Sequence, residues 1–239
     1  MARVALFDPC YLGTLRPADA SHAMRVLEAL GDEVTLIDGR CCGQPSYNSG
    51  FRPEAKRVAL SLLREARHHD VIVTTSGSCT SMVTHFVPGL FEGSKRDGAA
   101  RIARRFREFA SYVAAHPGLD SLALMLEGTV VYHDSCHQRR ELGGTDEVLT
   151  LLGKIDLLEV RRLTYEAECC GFGGAFTVKL PEVAAEMMTA KLDDIRASGA
   201  KVAVSTDFSC LGHLEAGARG TGQTLETWTI AELLAKALG

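Results

Sequence analysis

The sequence contains no stretch approaching the roughly 18 consecutive apolar residues that a membrane-crossing helix requires. Its opening, MARVALFDPC, lacks a basic segment followed by an apolar one, so no secretory signal is expected there. A concentrated basic face is missing too. The formal net charge is −4, and the densest basic run, residues 101–107, reads as the solvated side of a helix. Nucleic acid is therefore not an expected partner. Low-complexity segments and long flexible linkers are also absent. These absences predict a soluble, cytoplasmic protein that would reach a membrane only through a partner.

One further absence concerns the cysteines. There are eight: Cys10, Cys41, Cys42, Cys79, Cys136, Cys169, Cys170 and Cys210. The only close pairs are adjacent, whereas structural zinc sites usually draw on ligands a few residues apart. In a reducing cytosol, structural disulfides are disfavoured, so a thiol-rich chain points to metal binding or redox chemistry.

The 239 residues are 46% hydrophobic, enough for one sizeable core or for two lobes sharing an interface. The sequence repeats itself once. The first half runs RVALFDPC, EVTLIDGRCCGQP and DVIVTTSGSC; the second runs TVVYHDSC, ECCGFGG and KVAVSTDFSC. Thirty residues separate Cys10 from Cys41, and 32 separate Cys136 from Cys169. From each Cys-Cys-Gly to the last cysteine lie 35 and 38 residues. All eight cysteines fit the pattern, so a duplicated unit is the expected architecture.

The β-branched runs VALF, VTLI, VIVTT, VVYH and VAVST suit strands buried on both faces, as in parallel sheets. Between them, Ala55, Val58, Ala59, Leu62 and Leu63 form one helical stripe, and Val183, Met187, Met188 and Leu192 form another. Pro53 and Pro181 suit first helical turns. The expected fold is α/β, with two tandem pseudo-symmetric βαβαβα half-domains and parallel sheets, spanning residues 1–116 and 117–239. Residues 99–115 read as one long helix closing the first half. The tail TLETWTIAELLAKAL reads as a short strand and a final helix.

Parallel sheets bind ligands beyond the C-terminal ends of their strands. Cys10, Cys79, Cys136 and Cys210 fall there, and so do the two Cys-Cys-Gly turns. Four thiols of each half can thus converge on one spot. Gly43 and Gly171 allow a sharp turn after two adjacent cysteines. Adjacent cysteines reach different irons of a cluster more comfortably than one zinc ion, although four thiolates could also hold zinc. A third chemistry is disulfide exchange between neighbouring thiols.

The duplicated motif resembles the cysteine-rich CCG-domain family, which includes the CCG-bearing component of heterodisulfide reductase and the iron–sulfur subunit of glycolate oxidase. The words RCCGQPSYNSG, TTSGSCTSMVTHFVPGLF, YHDSCHQRREL and ECCGFGGAF resemble, within it, the lactate utilization group. The resemblance covers nearly the whole chain. It implies an iron–sulfur redox subunit that oxidises L-lactate, a 2-hydroxy acid, to pyruvate, with two partner proteins, one of them ferredoxin-like. It also implies a [4Fe-4S] cluster in each half, one on Cys10, Cys41, Cys42 and Cys79, the other on Cys136, Cys169, Cys170 and Cys210. The family's fuller motif ends in Cys-x-x-Cys. Here Met82 and His213 stand where the fifth cysteines would be. His213 is therefore a candidate extra ligand, since imidazole replaces thiolate in some clusters. Met82 reads as a packing residue.

His133 and His137 flank Cys136 and are candidates for acid–base catalysis or for binding a substrate carboxylate. The alternative is that they hydrogen-bond a strand-to-helix turn. Gly171, Gly173 and Gly174 do not form the dinucleotide-binding fingerprint. They read as backbone cradling a cluster or an anion. Gln44, Pro45 and Tyr47 read as a polar loop leading into the helix near Pro53.

Overall fold

The computed structural model of the protein describes residues 3–37 and 41–239. Its strands are β1 (Arg3–Phe7), β2 (Glu33–Ile37), β3 (Val71–Thr74), β4 (Phe106–Glu108), β5 (Met125–Tyr132), β6 (Asp156–Arg162), β7 (Val202–Ser205) and β8 (Glu226–Thr229). They form two four-stranded sheets, ordered β2-β1-β3-β4 and β6-β5-β7-β8. Every pairing is parallel: Leu6 sits opposite Leu36 and Val73, and Val131 opposite Arg161 and Ala203. The helices between them make this an α/β protein of two tandem half-domains, as the repeated strand pattern predicts.

One expected element is absent as such. Residues 99–115 do not form one helix: the helix Gly93–Ala103 ends, β4 follows, and a second helix runs Phe109–Ala114. The expectation failed because Phe106 and Glu108 face the interior and Arg107 the solvent on a strand of only three residues, too short to show its period. The basic run is accordingly not one helical face. Arg105 donates to the carbonyls of Arg67 and His69, at 3.2 and 2.8 Å, tying the strand's entry to the preceding helix.

The helices Arg52–Ala66 and Pro181–Ala197 both begin with proline in the first turn. The first buries Ala55, Ala59, Leu62 and Leu63 as expected. The second does not follow its expected stripe throughout. Val183 is 47% exposed, and the buried face is Ala184, Lys191, Leu192, Asp194 and Ile195.

A central core draws on both halves. Val4, Leu6 and Val73 from one sheet share it with Val130, Tyr132 and Val204 from the other. The last helix of each half packs on the first long helix of the other: Phe109–Ala114 on Thr145–Leu152, and Ile230–Ala237 on Ala18–Ala29. Arg16 reinforces the second contact by donating to the Thr227 carbonyl at 2.6 Å and to Glu215 at 2.7 Å. Thr229 donates to Asp19 beside it. This reciprocal exchange sets the C-terminal edges of the two sheets against one another. Among the described residues, no helix is long and apolar enough to cross a membrane.

Candidate metal centre

Each half delivers its cysteines from the same three places. Cys10 and Cys136 begin the helical turns after β1 and β5. Cys79 and Cys210 lie in the first turns of the helices Gly77–Ser81 and Phe208–Gly220, after β3 and β7. Ser76 and Asp207 cap those helices with their side chains. The adjacent pairs Cys41-Cys42 and Cys169-Cys170 follow β2 and β6. Because β1 and β5 are flanked by β2 and β3, and by β6 and β7, the three loops of each half meet at one edge.

The glycine after each pair is required by geometry. Gly43 has φ +91°, and a Cβ there would lie 3.0 Å from the Ala55 carbonyl oxygen. Gly171 has φ +88°, and a Cβ there would lie 2.5 Å from the Ala184 carbonyl oxygen. Each turn thus sits directly on the first turn of a long helix, Arg52–Ala66 or Pro181–Ala197, with a left-handed backbone that a side chain disfavours. In return, the Gly43 amide donates to Cys41 Sγ and the Gly171 amide to Cys169 Sγ, both at 3.4 Å.

The four sulfurs of each set form a hydrogen-bonded chain, and all eight thiols are free. Cys41 accepts from the thiols of Cys10 and Cys42 and from the Gly43 amide, which together draw its pKa down to about 3 against the effect of burial. Cys10 is pushed up, mainly because it donates to Cys41, and Cys42 is pushed up by its bonds to Cys41 and Cys79. The second set repeats this. Cys169 falls to about 2 through bonds from Cys136 and Cys170. Cys136 rises mainly through its bond to Cys169, and Cys170 through its bonds to Cys169 and Cys210. At Cys210 the bond from Cys170 pulls downward, but burial and the charges of Asp207 and Cys169 outweigh it. In each set one thiol is thus drawn down while the thiols bonded to it are pushed up. Four ionised sulfurs can share so small a space only around a cationic group that replaces their protons. The donor chemistry fits a metal ion or cluster.

Both sets open on a single cavity of about 170 Å³ between the halves, lined by all eight cysteines together with Tyr11, His137, Phe172, Gly173 and Gly174. Within it, Gln44 donates its side-chain N–H to His137 Nε2 at 3.2 Å. His137 in turn donates Nδ1–H to Glu141 Oε2 at 2.7 Å, and Ser81 donates to the same oxygen. Burial pushes the Glu141 carboxyl up, but the bonds from Ser81 and His137 outweigh this and hold it low.

The other histidines are placed differently. His133 does not line the cavity; it is 1% exposed, and burial lowers its pKa to about 4. Its ligand atom lies within 4.8 Å of Cys170 Sγ and Cys210 Sγ. The His213 ring packs tilted against Phe172, with ring centroids 5.8 Å apart, and burial lowers its pKa as well. Met82 is fully buried in the apolar core of the first half, together with Cys42 and Cys79.

The sequence reading missed three residues. Glu141 follows His137 by four positions, a spacing that one helical turn brings together. Asp207 accepts from the Ser78 amide at 2.7 Å and so joins the last cysteine loops of both halves. Lys191 is 1% exposed and donates to the Tyr165 carbonyl at 2.5 Å. Its charge interacts with Asp194, Glu168, Cys170 and Cys169. Nothing in the sequence distinguished it from a surface lysine.

Two parallel-sheet half-domains, each gathering four thiols at its strand ends, define a duplicated cysteine-rich protein built to bind a metal or cluster. The chain belongs to the CCG cysteine-rich domain family, whose profile matches residues 4–84 and 130–215. It is 34% identical over 239 residues to lactate utilization protein A 1 of Bacillus anthracis (strain CDC 684 / NRRL 3495), covering 99% of each chain. It is also 34% identical over 235 residues to lactate utilization protein A of Macrococcus caseolyticus (strain JCSC5402), covering 97% of this chain and 96% of that one. Among solved structures, an aspartate racemase homologue from Pyrococcus horikoshii OT3 aligns over 100% of this chain and 97% of its own at 12% identity, with a TM-score of 0.35. A likeness that weak carries no argument about this protein.

Proposed function

We propose that the protein is a cytoplasmic iron–sulfur redox subunit of a complex that oxidises L-lactate, a 2-hydroxy acid, to pyruvate during lactate utilization. The observation that carries this reading is the shared cavity: two four-thiol sets, one from each half, face a single space that also holds His137. The names of the relatives at 34% identity supply the substrate. Half-domains of residues 1–116 and 117–239 would each hold one cluster of the [4Fe-4S] type. Cys10, Cys41, Cys42 and Cys79 would be the ligands of one, and Cys136, Cys169, Cys170 and Cys210 those of the other.

When bound, such clusters accept and release electrons one at a time. The chain's own residues supply the rest. His137 offers Nε2 to a substrate hydroxyl once Gln44 yields it, and Glu141 fixes the tautomer that leaves this lone pair free. Tyr11, Phe172 and Phe208 form an aromatic wall along the cavity. Gly173 and Gly174 place backbone at the cavity wall, where it can meet a carboxylate. Partners, including a ferredoxin-like iron–sulfur protein, would take the electrons onward.

Anaerobically purified protein is expected to be brown and to contain iron and acid-labile sulfide in comparable amounts. A colourless protein carrying one zinc per half overturns the reading. Cys42→Ser and Cys170→Ser should each abolish one paramagnetic signal and spare the other.

A further inference from the structure

The two thiol sets are built alike but walled differently. Cys10 and Cys136 are 126 positions apart, and the same offset pairs Phe7 with His133. Phe7 ends β1, is 0% exposed and packs in the same apolar cluster as Cys42 and Cys79. Its ring meets Phe106 edge-on, at 6.3 Å between centroids. His133 occupies the corresponding place in the second half, beside Cys170 and Cys210, the counterparts of Cys42 and Cys79.

In the first half that place is filled by an apolar ring with apolar neighbours. In the second half it holds an imidazole, with two polar ring atoms to satisfy. Neither Nδ1 nor Nε2 of His133 has a hydrogen-bond partner, although both are buried. Its backbone amide is already spent on the Val204 carbonyl at 2.8 Å, which fixes the residue at the strand end. A buried polar group left unpaired is destabilising, so these nitrogens call for a partner the protein itself does not supply. The sulfurs within 4.8 Å show where such a partner would be shared.

We infer that His133 is a nitrogen ligand of the centre held by Cys136, Cys169, Cys170 and Cys210, so that the second half offers five donors and the first half four. This inference rests on the iron–sulfur reading above. It moves His133 from the acid–base role considered from sequence to a ligand role, and it gives the missing fifth donor of that half a different source from His213. His213 also has a buried Nε2 without a partner, but its ring is engaged with Phe172 and it does not join the close group of Cys170 and Cys210. The two centres would be chemically unlike, because imidazole ligation changes the electronic character of an iron–sulfur centre.

The test is pulsed electron paramagnetic resonance on the whole protein, anaerobically loaded and reduced, with natural-abundance and with ¹⁵N-histidine-labelled samples. One of the two signals should carry a nitrogen coupling that changes on ¹⁵N labelling; the other should not. His133→Phe copies the residue of the first half and should remove that coupling while leaving the first signal intact. His133→Asn serves as a smaller second variant, and His213→Gln should keep the coupling. A coupling that survives in both His133 variants, or disappears in His213→Gln, overturns the inference. So does iron- and sulfide-containing protein with no histidine coupling at all. Protein with no iron or sulfide would instead remove the iron–sulfur reading itself, and this inference with it.

Discussion

His137 meets Gln44 at the position where, in the opposite direction across the interface, Tyr11 meets Phe172. His137 and Tyr11 each follow the first cysteine of a half, and Gln44 and Phe172 each follow a Cys-Cys-Gly. The first contact is polar, Gln44 to His137 Nε2 at 3.2 Å; the second is aromatic, with ring centroids 5.6 Å apart. Duplication built two equivalent bridges, one polar and one aromatic.

Glu141→Gln keeps a group of the same size but loses the charge that holds His137 in the Nδ1–H tautomer. On the proposed function, lactate oxidation should fall by about 10²-fold or more in kcat, in line with losing a positioned base, while iron content stays unchanged. Steady-state kinetics of the assembled complex, paired with iron analysis, would check this. Undiminished turnover would remove His137 from the reaction.

Lys191 should act on one half only. Ala55 and Ala184 take equivalent positions under the two Cys-Cys-Gly glycines, and the same register makes Leu62 the first-half counterpart of Lys191. A buried ammonium near Cys169 and Cys170 favours added negative charge at that site. On the proposed function, Lys191→Met should therefore lower the midpoint potential of the second centre and leave the first in place, while Lys191→Arg should largely preserve both. A redox titration followed by paramagnetic resonance distinguishes this from a purely structural role, which would shift neither midpoint.

Gly171→Ala tests the seat of the second turn. Its φ of +88° and the 2.5 Å approach to the Ala184 oxygen leave no room for a methyl group. We expect a loss of about 1–3 kcal/mol in stability together with loss of the second centre. Gly43→Ala, with a 3.0 Å approach, should be milder. Chemical denaturation and iron analysis of the two variants would show whether the order holds.

Glu108 gives a pH dependence whose sign can be fixed. It caps the helix Phe109–Ala114 by accepting from the Ser111 amide at 3.0 Å. Burial, reinforced by the charges of Asp207 and Glu147, raises its pKa from 4.5 to about 7 despite that bond. The folded state thus binds a proton more tightly than the unfolded one. Its contribution is complete below pH 4.5 and is lost as pH rises through about 7. Glu108→Gln keeps an oxygen for the cap and removes the charge. It should flatten stability between pH 5 and 8 and stabilise the protein at pH 8, on the order of 1–3 kcal/mol. Urea unfolding at the two pH values measures it.

The sequence alone determined the duplication, the parallel α/β fold and the convergence of four thiols in each half. Those features are carried by local signals: β-branched runs, glycines after adjacent cysteines, and prolines at helix starts. A short strand such as β4 escaped because three residues cannot display a period. Tertiary structure alone decided how the halves exchange their last helices, that both thiol sets open on one cavity, and that Gln44 reaches His137. It also decided that Lys191 and His133 are buried beside the second set rather than exposed or free to accept protons. These are contacts between residues tens to hundreds of positions apart. A side chain's identity names the chemistry it can perform, but its burial and its neighbours are fixed only when distant segments pack.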